Sequence, residues 1–201
     1  MSNPVSCLTA LRKTLRHYRQ QLTPAQQQAA SAQCCNTLIS TPLWQKSQHI
    51  AFYLAHDGEI NPETALLAAH QAGKTCYLPV LHPQQEKTLL FLRYQPGDEL
   101  VPNRYGILEP VFASNKVFLT WKLELTCVPL VAFDDSGTRL GMGQGYYDRT
   151  FTYIKQNPQL TPKLIGLAYS AQQQPQLTRE TWDVPLHTII TETAIHGEPL
   201  L

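Results

Sequence analysis

The chain has 201 residues, of which 43% are apolar and 15% charged, and its 16 basic and 15 acidic residues leave a net charge of +1. That size and composition predict one globular domain spanning residues 1–201 and exclude a disordered chain. The near-neutral balance excludes a wholesale nucleic-acid or membrane-surface binder, although it leaves room for a local basic pocket. The five cysteines, Cys7, Cys34, Cys35, Cys76 and Cys127, contain no C-x-x-C pair and are odd in number. They fit free thiols in a reducing compartment better than a zinc ribbon or a disulfide framework. The opening MSNPVSCLTALRK has no basic segment followed by a long apolar one, and no run reaches transmembrane length. The expectation is a cytoplasmic, soluble monomer acting on small molecules, with no nucleic-acid or membrane partner.

Leu8, Leu11, Leu15, Tyr18 and Leu22 recur every three or four residues and predict one apolar helix face, with Arg12, Arg16 and Arg19 on a neighbouring face. TPAQ (23–26) carries the marks of a helix start: a threonine N-cap, a proline at the first position and a glutamine to complete a capping box. The second helix is predicted to run to Ile39, with Pro42 beyond its end, so the chain opens with a helical pair. HIAFYLA (49–55) reads as a strand and HDGE (56–59) as a turn. A helix follows from Asn61-Pro62 through Ala69, closed by Gly73. KTCYLPVL (74–81) and TLLFLRY (88–94) are predicted strands, and residues 95–115, rich in Pro, Gly and Asn, a long ordered loop. LTCVPLVAF (125–133) reads as a strand buried on both faces. A helix is predicted from Tyr146 to about Gln156, then strands at KLIGLAY (163–169) and HTIITE (187–192). Strands alternating with helices predict an α/β fold of three layers, a largely parallel sheet flanked by helices. Such sheets bind ligands at the carboxyl ends of their strands.

RLGMGQGYYDR (139–149) falls at such an end. Its three alternating glycines, Gly141, Gly143 and Gly145, either serve an ordinary loop of tight turns or let successive backbone N–H groups cradle a phosphate. The spacing is neither a Walker loop nor the dinucleotide fingerprint. Asp148 is either a helix-end carboxylate complementing the dipole or a ligand to Mg²⁺ beside a polyphosphate. Arg12, Arg16 and Arg19 are either solvated surface or guanidinium forks reaching phosphate oxygens. Glu59 is either a solvated turn residue or an acceptor for the amino groups of a heterocycle. The seven histidines have no metal-ligand spacing, and no serine stands in a nucleophile elbow. The glycine loop by itself also suits a non-catalytic nucleotide or phosphosugar sensor, and the arginine helix a nucleic-acid binder. Glu59 and the aromatic strand before it favour an enzyme over the first, and the charge balance disfavours the second.

Taken together, LRKTLRHYRQQLTPAQQ, AFYLAHDGEI, AGKTCYLPVL, YGILEP, PLVAFDDSGTRLGMGQGYYDR and WDVPLHTIIT make the chain resemble the 5-formyltetrahydrofolate cyclo-ligases (5,10-methenyltetrahydrofolate synthetases) nearly end to end, in their gamma-proteobacterial form. The resemblance implies a compact α/β enzyme that uses ATP and Mg²⁺ to convert 5-formyltetrahydrofolate to 5,10-methenyltetrahydrofolate, releasing ADP and phosphate. It implies ATP contacts on Arg139, Leu140, Gly141, Met142, Gly143, Gln144, Gly145, Tyr146 and Tyr147, and on the first helix at Arg12 and Arg16. It implies Mg²⁺ on Asp148, the folate pterin near Leu54 and Glu59, and catalytic roles for Arg139, Tyr147 and Asp148. Two positions depart from the family pattern. Leu8 stands where many members carry a lysine, and His187 where many carry an acidic residue.

Overall fold

The computed structural model describes residues 4–157 and 162–200. Among these, no helix is long and apolar enough to cross a membrane.

Helix α1 spans Pro4–Gln21 and α2 Pro24–Ile39. The predicted capping box is present: the Thr23 side chain accepts from the Gln26 N–H, and the Gln26 side chain accepts from the Thr23 N–H. A short helix absent from the sequence reading, α3 at Pro42–Lys46, begins at Pro42 with Thr41 as its N-cap. Strand β1, His49–Ala51, ends well before the expected residue 55. Helix α4 covers Glu63–Gln71, and Gly73 follows in the left-handed region at φ 73°.

Strands β2 (Thr75–Leu81) and β3 (Leu89–Tyr94) pair antiparallel. The segment read as a loop, 95–115, instead folds a small hairpin of β4 (Leu100–Pro102) and β5 (Leu108–Pro110). Asn103 builds its turn, its Oδ1 accepting from the N–H groups of Tyr105 at 2.9 Å and Ile107 at 3.2 Å. Strand β6 (Val117–Phe118) follows, then β7 (Leu125–Pro129). The expected strand to 133 stops at Pro129, which has no N–H to continue a ladder. The remainder forms a separate hairpin of β8 (Ala132–Phe133) and β9 (Arg139–Leu140).

The helix expected over 146–156 is interrupted. Helix α5 covers Tyr146–Thr150 and α6 Thr152–Gln156, divided at Phe151 with φ −107° and ψ 15°. Phe151 is fully buried, and the break turns its ring inward against Phe91, with centroids 5.7 Å apart. Strands β10 (Lys163–Leu167), β11 (Thr188–Ile190) and β12 (Ile195–Gly197) complete the chain.

The main sheet has the order β12-β11-β10-β7-β1-β2-β3-β6. The five strands from β11 to β2 are parallel, and β12, β3 and β6 are antiparallel at the edges. Successive residues of the parallel strands enter opposite cores. Ile50, Cys76, Cys127 and Ile165 pack beneath α2 and α4, while Ala51, Tyr77, Val128 and Leu164 pack on the side of α5 and α6. Both faces are covered, and the strands accordingly read as apolar runs rather than alternating ones. From β1 the chain builds outward to β2 in one direction and through β7, β10 and β11 in the other. The order reverses between β1 and β7, and the carboxyl ends of these two strands flank the crevice where open α/β sheets bind ligands.

Candidate active site

A cavity of about 420 Å³ opens at that crevice. Its lining comes from the turn after β1 (Leu54, His56, Glu59), the end of β7 (Pro129, Leu130), the β4–β5 hairpin (Tyr105, Leu108, Glu109) and the glycine loop with α5 (Gly141, Met142 and residues 144–148). Pro79 lines it as well. Here β2 runs on past the last paired residue of β1, Ala51 opposite Tyr77.

The glycine loop is held in place by arginines. Gly143 has φ 93° and Gly145 φ 70°, both in the region that favours glycine. Gly145 is the N-cap of α5, which has only five residues, so the backbone N–H groups carry more of any anion attraction than a helix dipole. Arg149 Nη1 donates to the Gln144 carbonyl at 2.7 Å, and Arg12 Nε to the Gly141 carbonyl at 2.9 Å. Helix α1 therefore folds back over the loop. Its leucine face makes this possible: Leu15, with Leu8 and Leu11, packs on Val131, Ala132 and Leu140 of the β8–β9 hairpin.

Arg139 and Asp148 form a pair inside the cavity wall. Arg139 Nη2 lies 2.8 Å from Asp148 Oδ1, with side chains 6% and 17% exposed. Asp148 Oδ1 also accepts from the Val184 N–H at 3.0 Å, while Arg139 Nη1 donates to the Val184 carbonyl at 2.7 Å. Both bonds to Asp148 fall on Oδ1, and Oδ2 takes part in neither. Tyr147 is half-buried beside them, and desolvation first, then the nearby Glu59 charge, pushes its hydroxyl well above the ordinary range. Tyr146 points the other way. Its hydroxyl meets that of Tyr105 at 3.0 Å and the Arg104 guanidinium, tying the hairpin to the loop.

The turn 56–59 is the second charged centre. Asp57 sits at φ 53°, a position aspartate tolerates better than most residues. Its carboxylate accepts from Arg16 Nε at 2.7 Å, Arg19 Nη2 at 3.0 Å and Gln20 Nε2. Burial alone pushes Asp57 upward, but these three bonds outweigh it and hold the carboxyl below its usual value. Glu59 behaves oppositely. Burial dominates, Arg19 at 3.6 Å offsets only part of it, and the carboxyl is raised to about 7.

The predicted residues thus separate. The structure brings Arg12, Arg139, Gly141 to Asp148, Leu54 and Glu59 around one crevice. It places Arg16 on Asp57 and sinks Arg19, expected on a possible phosphate-facing surface, completely into the interior. Leu8 packs among apolar residues. His187 accepts from the Leu164 N–H at 3.1 Å beside the start of β10, away from the carboxyl edge. Asp183 Oδ2 accepts from the Glu180 N–H at 2.8 Å. Neither of the last two lines the cavity. Asp57, Arg104 and Tyr105 escaped the sequence reading. The signal for the last two was NRYG (103–106), four residues containing glycine between two short extended segments, which marks a hairpin. Asp57 had only its place before Gly58.

The sequence model of the 5-formyltetrahydrofolate cyclo-ligase family matches residues 7–192. The 5-formyltetrahydrofolate cyclo-ligase of Escherichia coli K12 is 38% identical, over 90% of this chain and 98% of its own. That of Haemophilus influenzae is 39% identical, over 90% of this chain and 95% of its own. The solution structure of 5,10-methenyltetrahydrofolate synthetase from Aquifex aeolicus superposes with a TM-score of 0.76 at 30% identity, covering 94% of this chain and 92% of that one. The 5,10-methenyltetrahydrofolate synthetase of Mycoplasma pneumoniae has the same fold, with a TM-score of 0.71 at 24% identity. On the family match over residues 7–192, on relatives of this identity aligned over nearly their whole length, and on a shared fold, the chain belongs to the 5-formyltetrahydrofolate cyclo-ligase family.

Proposed function

We propose that the chain converts 5-formyltetrahydrofolate to 5,10-methenyltetrahydrofolate with consumption of ATP in the presence of Mg²⁺, releasing ADP and phosphate. One observation carries this reading. A largely buried carboxylate suited to a heterocycle, Glu59, and an arginine-held glycine loop suited to phosphates line the same cavity.

The chemistry needs both. The formamide oxygen is a poor leaving group, and attack of N10 on the formyl carbon must expel it. Transfer of the γ-phosphoryl of ATP to that oxygen converts it to phosphate, which departs as the ring closes. In this reading the triphosphate lies on the backbone from Arg139 to Tyr147, with Arg12 and Arg139 supplying charge and Arg16 lying a turn beyond Arg12. Glu59 and Leu54 hold the pterin so that the formyl oxygen faces the loop. Arg139, Tyr147 and Asp148 sit nearest the transfer: Arg139 balances charge on the phosphoryl oxygens, and the half-buried Tyr147 stays protonated and excludes water. Catalysis is then mainly positioning and charge stabilisation.

The donors present fit Mg²⁺ only as a shared ion. Among the described residues no three His, Cys, Asp or Glu side chains cluster. Asp148 alone, through Oδ2, fits an ion that takes one or two carboxylates, phosphate oxygens and waters. Bound there, Mg²⁺ would neutralise phosphate charge. The test is to mix the protein with 5-formyltetrahydrofolate, ATP and Mg²⁺ and follow the near-ultraviolet absorbance of the methenyl product. A rise that requires all three supports the proposal, and a flat trace from folded protein refutes it.

A further inference from the structure

The scheme above leaves Arg19 without a duty. The side chain is fully buried, 0% exposed, and its Nε has no hydrogen-bond partner. Nη2 lies 3.0 Å from Asp57 Oδ2, and Nη1 lies 3.2 Å from the Leu130 carbonyl and 3.6 Å from Glu59 Oε1. Packing does not explain such a residue, because an apolar side chain of similar volume is often as stable as a buried ion and leaves no orphan N–H. Nor does Asp57 require it, since Arg16 and Gln20 already bond that carboxylate. The Leu130 carbonyl has a second donor in Gln172 Nε2 at 3.0 Å. What remains is Glu59.

Glu59 is surrounded by groups of both signs. Helix α1 presents Arg19 and Arg16, its own turn presents Asp57 and the His56 N–H, and Tyr53 and Tyr147 face it from the chain after β1 and from α5. The His56 N–H donates to Oε2 at 3.2 Å. Arg16, the other cation, has a side chain 40% exposed and is committed to Asp57. Arg19 is therefore the desolvated positive charge that opposes the burial of Glu59.

We propose that Arg19 is a positioning residue for folate recognition: its buried guanidinium, delivered from α1, holds Glu59 as a carboxylate facing the cavity, where it accepts N–H groups of the pterin. This rests on the proposed function, in which Glu59 receives that ring. The same helix sets Arg12 on the glycine loop two turns earlier, so one rigid element reaches both halves of the crevice.

The experiment measures binding of 5-formyltetrahydrofolate, without ATP, across the neutral pH range. Affinity should rise with pH through a midpoint near 7, as Glu59 ionises. Arg19→Gln should move the midpoint up by about one pH unit and weaken binding at neutral pH by roughly fivefold, approaching roughly tenfold well below the midpoint. Arg19→Lys should restore it, and Asp57→Asn, which removes an opposing negative charge, should move it down. Glu59→Gln should abolish the midpoint. A folded Arg19→Gln protein with the wild-type midpoint overturns the proposal. If that variant does not fold, Arg19→Lys and Asp57→Asn decide: the wild-type midpoint in the first with a lowered one in the second supports it, and two unchanged midpoints overturn it. Wild-type protein that binds the folate without a midpoint overturns this inference alone. Wild-type protein that does not bind it overturns the proposed function as well.

Discussion

Arg12 Nε donates to the carbonyl of Gly141 at 2.9 Å across a sequence separation of 129 residues. The bond closes the first helix over the glycine loop and aims a guanidinium along the backbone expected to carry phosphates. Arg12→Ala should therefore raise the KM for ATP by about ten- to a hundredfold, the scale of one charge-assisted contact, with a smaller effect on the KM for the folate. Steady-state kinetics with each substrate varied in turn checks the asymmetry. Equal effects on both constants would mean that Arg12 merely holds the helix down.

Asp148 has two duties that two variants separate. Asp148→Ala removes the partner of a guanidinium only 6% exposed and should lower stability by about 3 kcal/mol as well as stopping turnover. Asp148→Asn keeps an oxygen for Arg139 and the Val184 N–H, so its unfolding midpoint should stay much closer to wild type. Its turnover should nevertheless fall by at least about a hundredfold, because an amide is a poor Mg²⁺ ligand. Near-normal turnover in Asp148→Asn would sink the metal assignment.

Glu59 makes stability depend on pH with a definite sign. Its ordinary value is 4.5, and folding raises it to about 7. Below the unfolded value both states are protonated and nothing is lost. As pH rises through that window the unfolded chain ionises first, so stability falls, levelling off above 7 at about 3 kcal/mol below its acid value. Glu59→Gln should remove that slope and make the protein more stable than wild type on the alkaline side, while weakening folate binding. Denaturant unfolding at a series of pH values reads the difference directly.

Gly143 holds φ 93°, where the nearest atom an added Cβ would meet belongs to Arg12, at 3.6 Å, an ordinary contact. Backbone strain rather than collision sets the cost of Gly143→Ala, about 1–3 kcal/mol if the loop keeps its shape. A loop that relaxes instead should weaken ATP binding and leave folate binding unchanged. Calorimetric titration of each ligand alone distinguishes these outcomes.

The thiols offer a check on the fold itself. Cys34, Cys35, Cys76 and Cys127 are buried and Cys7 is exposed. Burial raises all four buried thiols, Cys76 to about 11, which suppresses the reactive thiolate. Native protein should react with a thiol reagent quickly at Cys7 and slowly elsewhere, and mass mapping of the modified peptides would show it.

Local physics was legible in the residues alone. The capping box at Thr23 and Gln26, the glycine after α4, the apolar parallel strands and the alternating glycines each depend on neighbours a few positions apart. These features were enough to predict the α/β class and to place Glu59 and the glycine loop at the carboxyl edge of the sheet. The family resemblance, carried by the loop and the order of the other segments, was likewise present in the sequence. Strand ends were less legible, because β1 stops at Ala51 while its partners β2 and β7 run on, β7 stops where Pro129 cannot donate, and pairing is not a local property. The break at Phe151 is set by the space beside Phe91. Most of all, a helical pattern showed three arginines on one face but could not distinguish them. Only the packed structure sends Arg12 to Gly141, Arg16 to Asp57 and Arg19 into the interior beside Glu59, because burial and the distance to an opposite charge arise when segments far apart in the chain are brought into contact.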